Sequence, residues 1–305
     1  MTTWIYQLTV PTVRVGQSVK DTLKAWLIPQ RVRGALRQKQ HIHVNGQAVS
    51  TNYVFQAGDQ LELIFDAVDF RTSESHYTPN AQVTVPIIFE NDDFVVVDKP
   101  DGMKMHPHAP HEADTLLNYL AADFQARHLM SAGQPARPYM VHRIDRDTSG
   151  AVIVAKNPIV VPILNRLLAQ KAIKRTYLAW VQGAVDKPAG EITTPIGIDP
   201  HDERRRVING IAAQPARTYW ALSHTVYQNS LLRVQLDTGR MHQIRVHLAS
   251  IGHPIIGDPL YQPETSATRM LLHAATITVP LPFDGGTTTI SGAIPTDFPR
   301  QLRTI

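Results

Sequence analysis

Nine consecutive residues, "HRIDRDTSG" at 142–150, carry two arginines, two aspartates, a histidine, a threonine and a serine directly ahead of the apolar run "AVIVA". Asp145, Asp147, Ser149 and Gly150 fall at the first, third, fifth and sixth places of a calcium loop. The twelfth place holds Lys156 where a bidentate glutamate is needed, and the run that follows alternates like a strand rather than opening a helix. Arg143 and Arg146 would also repel a dication. A pair of carboxylates could instead flank an anomeric carbon, as in glycoside hydrolysis. Two residues apart on one turn, however, Asp145 and Asp147 are poorly placed to face a substrate from opposite sides, and Asp147 reads as a turn residue. The plainest alternative is a polar turn whose side chains hydrogen-bond the backbone ahead of a buried strand.

Other reactive residue types are sparse. The chain has no cysteine, which excludes thiolate chemistry and disulfides. His106, His108 and His111 lie in a proline-rich loop without acidic partners of metal-ligand spacing, and His242 and His247 are five apart, off the i, i+4 spacing of a helical metal pair. No glycine-rich phosphate loop, dinucleotide fingerprint or nucleophile elbow occurs. Neither a metal nor a cofactor is expected.

The elements around these residues divide the chain. Residues 17–38 read as two short helices broken at Pro29, followed by a hairpin turning at Asn45-Gly46 and a strand opening after Gly58-Asp59. Within this unit Arg31, Arg33, Arg37 and Lys39 cluster with no acidic neighbour in sequence, either as a solvated helix face or as a phosphate-contacting surface. Residues 67–85 lose periodicity and read as a linker. From Pro86 onward two strands surround the turn at 90–93. Asp114 is expected to cap one helix and Asn157-Pro158 to start another, with strands at "RTYLAWVQG" and "SLLRVQLDTG" and a helix in "HQIRVHLASIG". Strands and helices interleave without a βα rhythm, which favours an α+β mixed sheet over a doubly wound one.

Length and composition agree with a folded protein: 305 residues, 43% apolar and 18% charged, enough for a large domain and a smaller one. A formal charge of +4 permits a polyanionic partner. No segment reaches the roughly 18 apolar residues that a bilayer span requires, and a soluble cytoplasmic protein with no membrane partner is expected.

"HRIDRDTSG" resembles the H-R-L-D-x-x-T-S-G signature of the RluA-like RNA pseudouridine synthases. The resemblance extends along the chain through "KPDGMKMHP" (99–107), "KRTYLAWVQG" (174–183), "TGRMHQIRVHL" with "GHPIIGD" (238–258) and "LLHA" (271–274). It implies an α+β fold with a mixed, mainly antiparallel sheet and a small S4-like RNA-binding domain at 12–66, a linker at 67–85 and the synthase domain at 86–305. It implies isomerisation of uridine in structured RNA, 23S rRNA being favoured over tRNA, by a monomer without cofactor. Asp145 matches the essential carboxylate, Arg245 its basic partner, Tyr177 the aromatic that stacks on the flipped base, and Arg143 a residue that enters the RNA stack. Burial alone would push such a carboxylate towards its neutral form, and a fixed cation opposes that. Lys104, Arg240 and Arg269 are candidate phosphate contacts by charge and placement, beside the 31–39 cluster. A non-catalytic RNA-binding or ribosome-assembly protein on the same fold is the competing expectation.

Overall fold

The computed structural model describes residues 2–262, 267–296 and 298. Its N-terminal unit begins with β1 (Thr3–Thr9), then α1 (Val19–Ala25), α2 (Gln30–Gln38), β2 (Ile42–Val44), β3 (Gln47–Ala48) and β4 (Gln60–Asp66). Ser18 caps α1 by accepting a hydrogen bond from the Asp21 amide, and Pro29 sits at the N-cap of α2, where its missing N–H costs nothing. The expected helix pair, hairpin and strand are all present. A strand missing from that expectation, β1, pairs antiparallel with all seven residues of β4 and lies ahead of the span expected to begin at residue 12.

Residues 67–69 form a 3₁₀ turn, and 70–86 run without helix or strand. This strap is nonetheless anchored: Ser75 Oγ donates to Pro138 O at 2.7 Å and the Asn80 amide to Asn118 O at 3.1 Å.

The larger unit then supplies β5 (Ile87–Glu90), β6 (Phe94–Lys99), α3 (Leu116–Ala126), a small hairpin of β7 (Met130–Ser131) and β8 (Gln134–Pro135), β9 (Tyr139–Met140) and β10 (Ser149–Ala155). After α4 (Val161–Ala169) come β11 (Lys174–Gln182) and β12 (Ala189–Ile192), then a three-stranded sheet of β13 (Ile196–Ile198), β14 (Arg206–Ile208) and β15 (Ile211–Gln214). The chain continues with β16 (Thr218–Val226), β17 (Asn229–Leu236), α5 (Gln243–Ser250), β18 (Leu272–Pro280) and β19 (Thr287–Ser291). The central sheet has the order β12-β16-β17-β11-β18-β10-β6-β5, with β9 added to β10 and β19 to β18. Among the described strands, β10 and β18 pair parallel and the other strand pairs are antiparallel.

That parallel crossing requires Gly150. Its φ is +111°, and a Cβ there would overlap the Ala274 backbone. Two local expectations shift. Thr115, not Asp114, is the N-cap of α3, because the chain turns into the helix one residue later. Asn157 caps a preceding turn, its Oδ1 accepting from the Ile159 and Val160 amides, so α4 opens only at Val161.

Both faces of the sheet are covered, which is why β6 and β10 read as continuous apolar runs. Val95, Val97, Val152 and Val154 face α3 and α5. Phe94, Val96, Ala151 and Ile153 face the other way and join one core with Trp4, Leu23, Phe55 and Phe65 of the N-terminal unit and Leu164 of α4. The N-terminal unit is thus packed on the back of the sheet. Arg14 and Trp26 both donate to Asp284 in the turn after β18, and Arg166 Nη1 donates to Leu27 O at 2.7 Å.

Candidate active site

The 141–148 loop carries Asp145 out of the sheet between β9 and β10, closed by a Thr148 N–H to Asp145 O hydrogen bond of 3.2 Å. Lys99, fully buried at the end of β6, holds this loop from below. Its Nζ donates to Pro100 O and Met103 O at 2.8 Å and to Arg146 O at 2.9 Å, tying "KPDGM" to the loop of Asp145. Burial pulls the Lys99 ammonium down to about 7, against the opposing charges of Asp101, Asp147 and Asp145.

Asp145 meets α5, the helix expected from "HQIRVH". Arg245 Nη1 donates to Asp145 Oδ2 at 3.1 Å, while Nε and Nη2 donate to the two oxygens of Asp258 at 2.7 and 2.8 Å. Asp258 in turn accepts the Leu260 and Tyr261 amides, and the guanidinium lies 5.2 Å from the Tyr261 ring centroid. Burial disfavours the charge on Arg245, but the Asp258 bond and charge, then Asp145, outweigh it and hold the pKa above its ordinary value. The cation is therefore permanent and fixed in direction. Asp145 Oδ1 accepts no hydrogen bond among the described residues, and the side chain is 23% exposed.

Tyr177 stands on β11 where its pairing with β18 shifts register, Ala275 of β18 being the extra residue. The ring is 4% exposed. Burial, chiefly, and the charge of Asp145 push its phenol up, with Arg175 opposing. His242, in left-handed conformation at the start of α5, places Nε2 4.0 Å from Asp145 Oδ2 and Nδ1 3.1 Å from the Tyr261 hydroxyl. Burial, aided by Arg245, lowers its pKa against the pull of Asp145.

Asp145, Tyr177, His242 and Arg245 line one cleft of about 630 Å³, within the roughly 300–1,000 Å³ of small-molecule sites. The fold thus unites Asp145, Tyr177 and Arg245, which lie 100 residues apart between Asp145 and Arg245. Arg143 and Arg240 stand at its rim; Arg240 Nε donates to Pro215 O and Arg143 is exposed. Asp147 is outside the lining, paired with Arg146 at 3.0 Å.

Other candidates are engaged elsewhere. Arg269 is bound to Asp101 at 3.0 Å and to Ser149 Oγ at 2.5 Å, so it braces β10 instead of facing solvent. Lys104 is ion-paired with Glu112. In the 31–39 cluster, folding brings Asp66 and Asp69 to Lys39, each at 2.7 Å, despite the absence of acidic neighbours in sequence. Arg31 donates to Val68 O and Arg33 to Ile28 O, and Arg37 is exposed. Asp258, Lys99 and His242 had no assigned role in the sequence; each nonetheless sits in a quoted motif, at the end of "GHPIIGD", the start of "KPDGM" and beside "QIRVH".

Comparison with known proteins gives a consistent set of matches. Residues 93–250 match the family model described as RNA pseudouridylate synthase, and 6–61 that of the RluD ribosomal pseudouridine synthase N-terminal domain. A Bacillus subtilis protein named "Uncharacterized RNA pseudouridine synthase YhcT" is 35% identical, covering 99% of this chain and 93% of its own length. "Ribosomal large subunit pseudouridine synthase D" of Nitrosomonas europaea is 34% identical over 98% of this chain and 87% of its own. Among solved structures, human RNA Pseudouridylate Synthase Domain Containing 1 superposes with a TM-score of 0.59 at 26% identity, covering 73% of this chain and 88% of that one.

Proposed function

This chain belongs to the RNA pseudouridylate synthase family, and on that premise we propose that Asp145 is its essential carboxylate and that its substrate is a uridine of large-subunit ribosomal RNA. The rearrangement breaks the bond from C1′ to N1, turns the base, joins C1′ to C5 and releases the C5 proton. It consumes nothing. A carboxylate that is to act on the sugar or base must be ionised and must keep one oxygen open. The observation that carries the reading is the state of Asp145: Oδ2 held by a buried, permanently charged Arg245, with Oδ1 accepting no hydrogen bond among the described residues.

Arg245 fixes the rotamer of Asp145, and Asp258 fixes Arg245. Tyr177 offers a buried ring face for the flipped base. Arg143, exposed beside Asp145, is placed to enter the RNA stack as the uridine leaves it, a step that costs a few kcal/mol of stacking. The N-terminal unit adds Arg31, Arg33 and Arg37 as phosphate contacts, with Arg240 at the rim and Lys104 available on release of Glu112. Lys39 contributes only by giving up Asp66 and Asp69. Large-subunit RNA is preferred over tRNA because the 6–61 match is described as ribosomal and the Nitrosomonas relative as a large-subunit enzyme. The enzyme is read as a cytoplasmic monomer; among the described residues no helix is long and apolar enough to cross a membrane.

Tritium release from [5-³H]uridine-labelled rRNA and tRNA transcripts tests this, with wild type and Asp145→Asn side by side. Release from the rRNA by the wild type, reduced by about 10³-fold or more in the variant, is expected. Release from tRNA alone would overturn the substrate, and undiminished release by Asp145→Asn would overturn the role of Asp145. RNA binding without release from any pool would favour the non-catalytic binder.

A further inference from the structure

Arg175 and His142 line the same cleft as Asp145 but have no part in the chemistry above. Arg175 lies two residues before Tyr177 on β11, so both side chains leave the same face of the strand. It makes no hydrogen bond or ion pair among the described residues, and its Nε is buried without a partner. The guanidinium rests against Gly239, where a Cβ would stand 3.7 Å from both terminal nitrogens. The nearby carboxylate that lines the cleft, Asp237, is already held by Lys171 Nζ at 2.9 Å and the Tyr219 hydroxyl at 3.2 Å.

His142 supplies a second donor. Its Nε2 accepts from the Ile153 amide at 3.0 Å, so the proton of the neutral ring lies on Nδ1. That Nδ1 is buried and unpartnered as well. Burial, with the charge of Arg175, lowers the imidazole pKa to about 3, which keeps the ring neutral and its tautomer fixed at physiological pH. A native interior rarely leaves two such donors unmet, and both belong to residues that line one cleft. A guanidinium with free terminal nitrogens matches phosphate oxygens in a bidentate way.

We propose that Arg175 and His142 form a subsite for a backbone phosphate of the RNA strand that carries the target uridine, holding that strand while the base enters the cleft. The subsite rests on the reading that the protein acts on RNA. It would position substrate without touching the reacting atoms.

The test uses full-length wild type, Arg175→Gln and Arg175→Lys on the large-subunit rRNA transcript. KM and kcat come from tritium release, and Kd from filter retention of the same RNA, between about 50 and 200 mM salt. Arg175→Gln should raise KM and Kd by about tenfold, the loss falling on KM rather than kcat, and should flatten the dependence of log affinity on log salt by about 0.7 to 1. Arg175→Lys should restore the slope, since the charge returns. An unchanged slope and KM in Arg175→Gln overturn the subsite. So does a loss confined to kcat, which would assign Arg175 to tuning Tyr177, and so does a KM rise with unchanged slope, which would indicate a base carbonyl as the acceptor. Because Kd and slope need no turnover, a wild type that releases no tritium would count against the isomerase reading while the subsite is still decided.

Discussion

Asp145 and Asp284 are both held by arginine, and they are held differently. In the cleft, Arg245 gives two hydrogen bonds to Asp258 and a single one to Asp145, whose second oxygen stays open. At the back of the sheet, Asp284 is saturated: Arg14 Nη2 bonds Oδ1 at 2.6 Å, while Arg14 Nε and Trp26 Nε1 share Oδ2 at 2.6 and 2.5 Å. The saturated carboxylate is a joint between the N-terminal unit and the sheet. The half-satisfied one keeps a lone-pair face for substrate, and it can do so because Asp258 takes up most of the fixed cation's hydrogen bonds.

Removing Asp258 should have the largest effect on stability. Asp258→Ala leaves a buried guanidinium with one bond to a partly exposed partner, and breaking a buried pair in this way costs about 3–5 kcal/mol. Urea unfolding would read that loss, with tritium release falling alongside it. Asp145→Asn should cost less than about 1 kcal/mol, because Arg245 keeps both Asp258 bonds. Equal destabilisation by the two variants would break the distinction between joint and reagent.

A third carboxylate shows what happens without a cation in hydrogen-bond contact. Asp93, at the turn between β5 and β6, is buried, accepts the Tyr6 hydroxyl at 3.0 Å, and has an unpartnered Oδ1. Burial, above all, raises its pKa from 3.8 to about 6, with Tyr6, Asn157 and Lys156 pulling down. The folded state therefore holds this proton more tightly than the unfolded chain. The penalty is absent below the unfolded pKa, develops as pH rises from about 4 to 6, and is complete above that, at about 3 kcal/mol. Asp93→Asn removes it. The stability of that variant relative to wild type should improve by up to about 3 kcal/mol between pH 4 and pH 7. A difference that does not change with pH would mean that Asp93 is ionised at no cost, and the contrast with Asp145 would lose its third case.

How far these arrangements were legible in the sequence follows from the range of the interactions. The helix pair at 19–38 and the hairpin at 42–48 are set by a serine cap, a proline and an Asn-Gly turn, all local. β1 was not legible, because its case rests on pairing with β4 more than 50 residues away. Of the site, Asp145, Tyr177 and Arg245 were expected through a family pattern, and the structure brings them together. Asp258 and Lys99 escaped because their partners, a guanidinium 13 residues away and a carbonyl 47 away, are fixed only by the folded chain. The same range of interaction governs the charge at 31–39, where the carboxylates facing Lys39 come from residues 66 and 69.

The Asp284 joint can be loosened without strain. Asp284 has φ of +63°, a conformation that asparagine tolerates well, so Asp284→Asn removes charge and leaves the turn. Asparagine keeps one acceptor oxygen and turns an amide donor towards an Arg14 N–H, so the exchange should cost about 2 kcal/mol, since both partners are mostly buried. Hydrogen exchange should rise first in the N-terminal unit, and kcat should remain that of the wild type because no cleft residue moves. A fall in kcat equal to that of Asp258→Ala would show that the two regions are coupled through the sheet.

The smallest effect separates the hydroxyl of Tyr6 from its ring. The ring packs on Phe283 with centroids 4.2 Å apart, and Phe retains that contact. The hydroxyl supports Asp93 most strongly where Asp93 is an anion. Without it the folded pKa of Asp93 rises above the wild-type value of about 6, so the ionised form becomes more costly. Tyr6→Phe should therefore lose about 0.5–1.5 kcal/mol at pH 7 and clearly less at pH 4, where both folded proteins carry the proton. Combined with Asp93→Asn, the pH-dependent part should vanish, because the two substitutions act on one ionisation. If the loss at pH 4 equals that at pH 7, the hydroxyl stabilises the dock as an ordinary neutral donor, and the cost of Asp93 comes from burial alone.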